Sequence, residues 1–164
     1  HAAGNNASNG DIIKAGACDK WLLSKDSDRC ALCYQHDMHN VIGIITAKGV
    51  DDKGLWIEAD ILPTQQGKDV QILMRAGAIK EFSIGYYADS WSYGKVENQE
   101  VRYLEEISIV EVSPVTRAAN PLATLTDMKA EDMAGSFAAM PEAQLLSLQA
   151  AVKEEIAKRI YSKL

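Results

Sequence analysis

The segment EFSIGYYADSWSYGKVENQEVRYLEEISIVEVSPV, residues 81–115, is the main basis for predicting the fold. Residues 81–93 and 100–115 are rich in β-branched and aromatic side chains, which favour extended strands. The intervening GKVENQ has the Gly and Asn content that is typical of a turn. The stretch therefore predicts two long strands joined by a turn.

Further strands are predicted on the N-terminal side of this stretch, in ALCYQ at 31–35, NVIGIITAKGV at 40–50 and GLWIEADIL at 54–62. The last two are separated by DDKG, a strong turn signal, so we expect them to form a hairpin. QGKDVQILMRAGA, residues 66–78, has apolar residues at helical spacing and ends near Gly77, which predicts a helix before the long strands. A shorter helix is predicted at residues 17–24.

Three segments follow from these patterns. Residues 1–10 predict a flexible lead-in, residues 11–125 a mixed and mainly antiparallel β-domain, and residues 126–164 a helical segment. The fold class is therefore mainly β with helices, or α+β. The helical segment has an amphipathic stripe, which suits packing, dimerisation or a tether to scaffold. The stripe consists of Leu145, Leu148, Val152, Ile156 and Ile160.

Composition excludes some classes of function. The formal net charge is −6 and the 17 basic residues are scattered, which argues against a nucleic-acid-binding surface. No apolar run approaches the roughly 18 residues expected of a membrane span. The three cysteines are an odd number, which does not suit a disulfide framework and favours a reducing compartment.

CALCYQHDMHN, residues 30–40, contains two of the three cysteines and two of the three histidines. Cys30, Cys33, His36 and His39 have the residue types of a zinc site, but zinc ligands usually come as two pairs separated by a longer loop. As a strand, the segment would place Cys33 and His36 on opposite faces. We therefore expect no metal. His36 is alternatively a catalytic base, and a cysteine protease using Cys30 or Cys33 lacks a clear partner geometry.

Two other polar residues lie in otherwise apolar strands. Ser83 stands between Phe82 and Ile84, where its hydroxyl needs a hydrogen-bond partner, and Gly85 would allow a close approach by backbone or substrate. On the second long strand, strict alternation would put Glu111 on one face with Ile107, Ile109 and Ser113. A carboxylate there needs a partner such as a histidine, although pairing with Arg102 or Arg117 at a strand edge would also serve.

The order of several blocks resembles the tailed-phage prohead protease family. These blocks are GDIIKAGA, QHDMHNVIG, GLWIEADIL, AGAIKEFSIGYY and EISIVEVSPVTRAANPLA, which together extend over roughly residues 10–125. Each block alone is weakly specific, whereas their combination and order are specific. Members of this family look like relatives of the herpesvirus maturation protease.

The resemblance implies a fold and a site. The fold would be a closed, mostly antiparallel β-barrel surrounded by helices. The nucleophile of the family matches Ser83, its histidine matches His36, and Glu111 is our choice for the acidic member. The loop with Arg117 would hold the oxyanion. No cofactor is implied.

The resemblance also implies a biological task. The chain would be a serine endopeptidase that cleaves scaffold and capsid polypeptides, and itself, inside the phage procapsid in the bacterial cytoplasm. Homodimers or higher oligomers are compatible with the helical segment. The alternative is a non-enzymatic capsid assembly or scaffold protein that keeps the protease fold.

Overall fold

The structure, a computed structural model, describes residues 10–128 and 141–161. Two compact units divide the chain, His1–Asp127 and Met128–Leu164. The predicted lead-in lies outside the described residues except for Gly10. In the second unit one helix, Glu142–Tyr161, is described. Leu145 of the predicted stripe is half-buried, and the side chains of Leu148, Val152, Ile156 and Ile160 lie outside the description.

The first unit consists mainly of strands. In chain order its elements are β1 (Asp11–Ile13), α1 (Asp19–Leu22), a 3-10 helix (Lys25–Arg29), β2 (Ala31–Tyr34), β3 (Asp37–Asp51), β4 (Gly54–Ile61), α2 (Gln65–Arg75), β5 (Glu81–Val96) and β6 (Gln99–Val115). The helix Glu142–Tyr161 of the second unit is α3. Neither this helix nor any other in the described part of the chain is long and apolar enough to cross a membrane.

β6 organises the sheet. One edge of β6 pairs antiparallel with β5 along nearly its whole length. Its other edge is shared by two short parallel partners, β1 near its start and β2 near its end. β2, β3 and β4 then continue the sheet in antiparallel order. β6, the strand that carries Glu111, therefore has partner strands on both of its edges.

The closed barrel expected from the resemblance is wrong. Over residues 10–128 the sheet is an open, curled half-barrel in which β4 and β5 do not pair. The chain between them forms α2 instead of a closing strand. The outer edge of β5 is also occupied at its start, where the Phe82 N–H donates to the Ala123 carbonyl at 2.7 Å and the Leu125 N–H to the Lys80 carbonyl at 2.9 Å. The combination of sheet and helices fits an α+β class.

Both predicted hairpins are confirmed. β3 and β4 pair antiparallel and turn at Asp51–Gly54. β5 and β6 turn at Glu97 and Asn98, which both have positive φ, as a two-residue turn between twisted strands requires. The predicted helix before β5 is also confirmed as α2, which begins after Thr64, whose hydroxyl accepts from the Gly67 N–H at 3.0 Å.

A β-bulge in β6 sets which residues face the core. Gly85 pairs with Glu111 but its neighbour Tyr86 pairs with Ile109, so Val110 is an extra residue. The apolar core contains Ile109 before the bulge and Val112 after it. The alternation therefore reverses at Val110. Glu111 does not share a face with Ile109, contrary to the strict alternation expected from the sequence.

Candidate active site

His36 lies in a tight turn rather than in a strand. β2 ends at Tyr34, which pairs with Asp37 at the start of β3, so Gln35 and His36 form a two-residue hairpin turn. Their φ angles are 56° and 61°, the left-handed region that such turns need and that costs free energy for residues other than glycine. The strand considered for residues 30–40 on the sequence is therefore interrupted at Gln35 and His36.

The end of β6 holds this turn in place. The Gln35 N–H donates to the Pro114 carbonyl at 3.2 Å, and the His36 N–H donates to Ser113 Oγ at 3.1 Å. The Gln35 side chain adds a reciprocal pair, in which Nε2 donates to Thr116 Oγ1 at 2.7 Å and Oε1 accepts from the Thr116 N–H at 3.3 Å. Four hydrogen bonds thus compensate for the unfavourable φ angles.

The His36 ring contacts the buried carboxylate of Glu111. Nδ1 lies 2.6 Å from Oε1, and the Glu111 side chain is 5 % exposed whereas that of His36 is 46 % exposed. A carboxylate accepts hydrogen bonds, so Nδ1 is the donor, and in the neutral ring Nε2 then has the free lone pair. This is the tautomer that a general base needs, on a ring that solvent and substrate can reach.

Two neighbouring residues allow the Glu111 carboxylate to be buried: Ser113 donates a hydrogen bond to it, and Gly85 leaves space for it. Ser113 Oγ donates to Oε2 at 2.5 Å, so both carboxylate oxygens are hydrogen bonded. A Cβ at Gly85 would lie 2.6 Å from Oε1 and 3.0 Å from Cγ of Glu111. Gly85 was expected to allow a close approach by backbone or substrate, but the group that approaches it is this carboxylate.

Ser83 lies on the strand beside these groups. It pairs directly with Ser113, as Gly85 does with Glu111. Cβ atoms of directly opposed residues on neighbouring strands are about 4.5–5.5 Å apart, so Ser83 is near the residue that bonds both Glu111 and His36. Among the hydrogen bonds of the described residues, none joins Ser83 Oγ to the His36 ring. The structure thus brings His36 and Glu111 together and places Ser83 alongside them.

The cysteines lie close to Glu111 without the character of ligands or nucleophiles. Burial, and then the charge of Glu111, raise the pKa of Cys30 to about 11 and raise the pKa of Cys33. Both therefore stay protonated thiols at neutral pH, the unreactive form. In the ranges that the structure describes, no group of three or more His, Cys, Asp or Glu residues could hold a metal ion.

The Arg117 loop follows β6 directly. Arg117 is exposed, and the amides on either side of it donate to side chains: Thr116 to Gln35, and Ala118 to Glu81 Oε2 at 2.7 Å. Glu81 is two residues before Ser83 on β5. The loop is therefore hydrogen bonded at one end to the His36 turn and at the other end to β5, the strand of Ser83.

Asp37 and His39 take part in hydrogen bonds at the start of β3. Asp37 Oδ1 accepts from the His39 N–H at 2.9 Å, and Oδ2 accepts from Asn40 Nδ2 at 2.6 Å. These contacts cap the strand after the turn. Both carboxylate oxygens of Asp37 thus accept hydrogen bonds from within β3.

Gln35 and Ser113 are the residues of the site that the sequence did not reveal. Ser113 has a signal, because it stands two residues after Glu111 and such residues share a strand face. Gln35 has none, because Gln-His is an unusual sequence for a turn with two positive φ angles.

In this site a histidine bonds a buried carboxylate, and a serine lies on the strand next to that carboxylate. This arrangement is typical of hydrolases with a serine nucleophile. Residues 4–136 match the family of caudovirus prohead serine proteases. The chain belongs to this family. The membership supports a capsid maturation protease of tailed phages.

Comparisons with other proteins add one solved structure. The bacteriophage T4 capsid assembly protease, gp21, is similar with a TM-score of 0.49 and 13% sequence identity, over 70% of this chain and 76% of that one. No curated protein matches the chain.

Proposed function

We propose that the chain is a serine endopeptidase that cleaves scaffold and capsid polypeptides during prohead maturation, with Ser83, His36 and Glu111 as its catalytic residues. One observation carries the proposal. The Nδ1 atom of the half-exposed His36 ring is 2.6 Å from the buried carboxylate of Glu111. Glu111 lies on β6, which pairs with β5, the strand of Ser83. Family membership is consistent with it.

The proposed reaction begins at Ser83. Nε2 of His36 takes the proton of the hydroxyl as Oγ attacks the peptide carbonyl, and then delivers that proton to the leaving amine. The resulting acyl-enzyme is hydrolysed by water, which His36 activates in the same way. Glu111 keeps the Nδ1 proton in place and stabilises the imidazolium between these steps. In the substrate-free chain the distance from serine to histidine is expected to be longer than in a complex.

The oxyanion that forms on the carbonyl needs N–H donors, and the Arg117 loop is the proposed source. Preorganised donors of this kind are usually the largest electrostatic contribution to catalysis. Since the neighbouring amides of Thr116 and Ala118 donate to side chains, the backbone N–H of Arg117 is the candidate donor.

The proposed substrates are neighbours in the procapsid. Enclosure with scaffold and capsid polypeptides inside the particle gives a high effective concentration, so weak intrinsic affinity suffices for cleavage. Self-cleavage follows from the same confinement.

A fluorophosphonate probe tests the nucleophile directly. Ser83 Oγ would displace fluoride from phosphorus while His36 takes the hydroxyl proton, and peptide mass spectrometry would find the label on Ser83. Ser83→Ala should abolish labelling and lower cleavage of scaffold protein by roughly a thousandfold or more. Ser90→Ala, a half-buried serine on the same strand, is the matched control and should be labelled like the unaltered chain.

Two results would contradict the proposal. One is equal labelling or equal cleavage by the Ser83→Ala chain. The other is a folded chain that neither reacts with the probe nor cleaves scaffold protein, which would instead favour the non-enzymatic assembly protein.

A further inference from the structure

Ser113 connects the parts of this site that come from different elements. It is completely buried, at 0 % exposure. Its Oγ donates to Glu111 Oε2 at 2.5 Å and accepts from the backbone N–H of His36 at 3.1 Å. A carboxylate can only accept and an N–H can only donate, so the orientation of this hydroxyl is determined by its two partners.

These two hydrogen bonds restrain His36 at its backbone and, through Glu111, at its imidazole ring. One fixes the backbone at the histidine, within a turn whose φ angles are unfavourable for this residue type. The other fixes the second oxygen of Glu111, whose first oxygen bonds the ring at Nδ1. With both oxygens bonded, the plane of the carboxylate is defined and so is the direction of the imidazole. No other side chain among the described residues bonds both Glu111 and the turn.

We infer that Ser113 is a positioning residue of the active site, which sets the orientation of His36 through Glu111 and through the backbone of the turn. The inference rests on the proposed function, since it assigns Ser113 a part in the same reaction. Because Ser113 is completely buried, we expect it to make no contact with the substrate. Its loss should therefore slow the chemical step and leave substrate binding nearly unchanged.

A buried serine elsewhere in the same unit provides the matched control. Ser27 is 3 % exposed, and its Oγ also makes two hydrogen bonds, to the carbonyls of Ser24 at 2.9 Å and Leu22 at 3.4 Å. It lies in the 3-10 helix and contacts none of the proposed catalytic side chains through these bonds. Ser27→Ala and Ser113→Ala each delete a buried hydroxyl, so a purely structural role predicts the same result for both.

The experiment compares the two variants in the full chain. Labelling by the fluorophosphonate is followed at several probe concentrations to separate the maximal rate from the apparent affinity. Ser113→Ala should lower the maximal rate roughly ten- to hundredfold, as expected for losing a hydrogen bond to a charged group, with the apparent affinity unchanged. Ser27→Ala should leave both unchanged. Proton NMR of the His36 Nδ1–H should shift or broaden in Ser113→Ala and stay the same in Ser27→Ala.

The outcomes separate this inference from the proposed function. The positioning role is wrong if Ser113→Ala is labelled at the original rate and its His36 resonance is unchanged. An unaltered chain that is not labelled contradicts the proposed function, and the His36 resonance then decides the role of Ser113 on its own. If Ser113→Ala does not fold, Ser113→Cys replaces the hydroxyl with a slightly larger group that is a much weaker donor, and it should lower the maximal rate whereas Ser27→Cys should not.

Discussion

Glu111 places a buried carboxylate in the middle of a sheet. Burying such a group costs free energy unless its oxygens are hydrogen bonded, and here Ser113 and His36 bond one oxygen each. The pKa of the nearby Cys30 thiol is raised, mainly by burial and then by the negative charge of Glu111. The acid can lie there because Gly85 opposite it has no side chain.

Gly85→Ala should therefore damage the site more than the fold. The new methyl carbon would lie 2.6 Å from Glu111 Oε1, so the carboxylate must move away from the His36 ring. We expect Ser83 labelling by the fluorophosphonate to fall at least tenfold, and the free energy of unfolding to fall by about 1–3 kcal/mol from overpacking.

Gly94→Ala is the matched control on the same strand. Its Cβ would lie 2.6 Å from Cε2 of Tyr103, a contact of the same length far along the sheet from Glu111. It should lower stability without lowering the labelling rate. Equal labelling by the Gly85 and Gly94 variants would show that the space opposite Glu111 is not needed for reactivity.

At the scale of elements, patterns of local sequence predicted some features and missed others. DDKG and the spacing of Val70, Leu73 and Met74 were sufficient for the β3–β4 turn and for α2, because local residues determine both. The turn at His36 was missed because its φ angles are held by hydrogen bonds to β6, some eighty residues away in sequence. The bulge at Val110 has no local signal either. Glu111 stays a prediction as the acidic member, and the face predicted for it was wrong.

The Gln35–Thr116 pair should couple the His36 turn to the Arg117 loop. Gln35→Ala deletes both hydrogen bonds of this pair, whereas Thr116→Val deletes the one to Oγ1 and keeps the backbone N–H that donates to Oε1. Because a hydrogen bond contributes about 1 kcal/mol, Thr116→Val should slow Ser83 labelling roughly fivefold, and Gln35→Ala at least as much. The double variant should be no slower than Gln35→Ala alone, since that substitution already removes both bonds.

Gln65→Ala serves as the control for the glutamine. Gln65 is also exposed, and its Nε2 donates to Asp69 on α2 at 2.9 Å. It should be labelled at the original rate. If the effects of Gln35→Ala and Thr116→Val multiply in the double variant, the two residues act independently and the coupling is absent.

The whole sheet is arranged around β6, and this arrangement explains why the sheet stays open and does not form the expected closed barrel. A strand pattern in sequence indicates which segments are extended but not which edges pair. Closure would require β4 to reach β5, whereas β5 is already bonded at its start by residues after β6. β6 instead gains the short β1 as a parallel partner, in a register that sets Asp11 opposite Arg102.

The Asp11–Arg102 ion pair connects the start of the described chain to the centre of the sheet. Arg102 Nε donates to Asp11 Oδ1 at 2.9 Å and Nη2 donates to Oδ2 at 2.6 Å, and Tyr86 Oη adds a bond at 3.1 Å. Asp11 is 7 % exposed. The bonds from Arg102 are the largest influence, and they lower the pKa of Asp11 against the opposing effect of burial.

A lowered pKa in the folded state makes this pair a source of acid sensitivity. Above the unfolded value of about 3.9, Asp11 is charged in both states and its contribution to stability is complete. The contribution is lost as the pH falls from there through the lower folded value. Asp11→Asn should therefore melt at a lower temperature than the unaltered chain at pH 7, and the difference should shrink as the pH approaches 3. Asp26→Asn is the control, because its pair with Arg29 is exposed and should change the melting temperature little at any pH. A difference for Asp11→Asn that stays constant down to pH 3 would mean that the charge of Asp11 does not stabilise the attachment of β1.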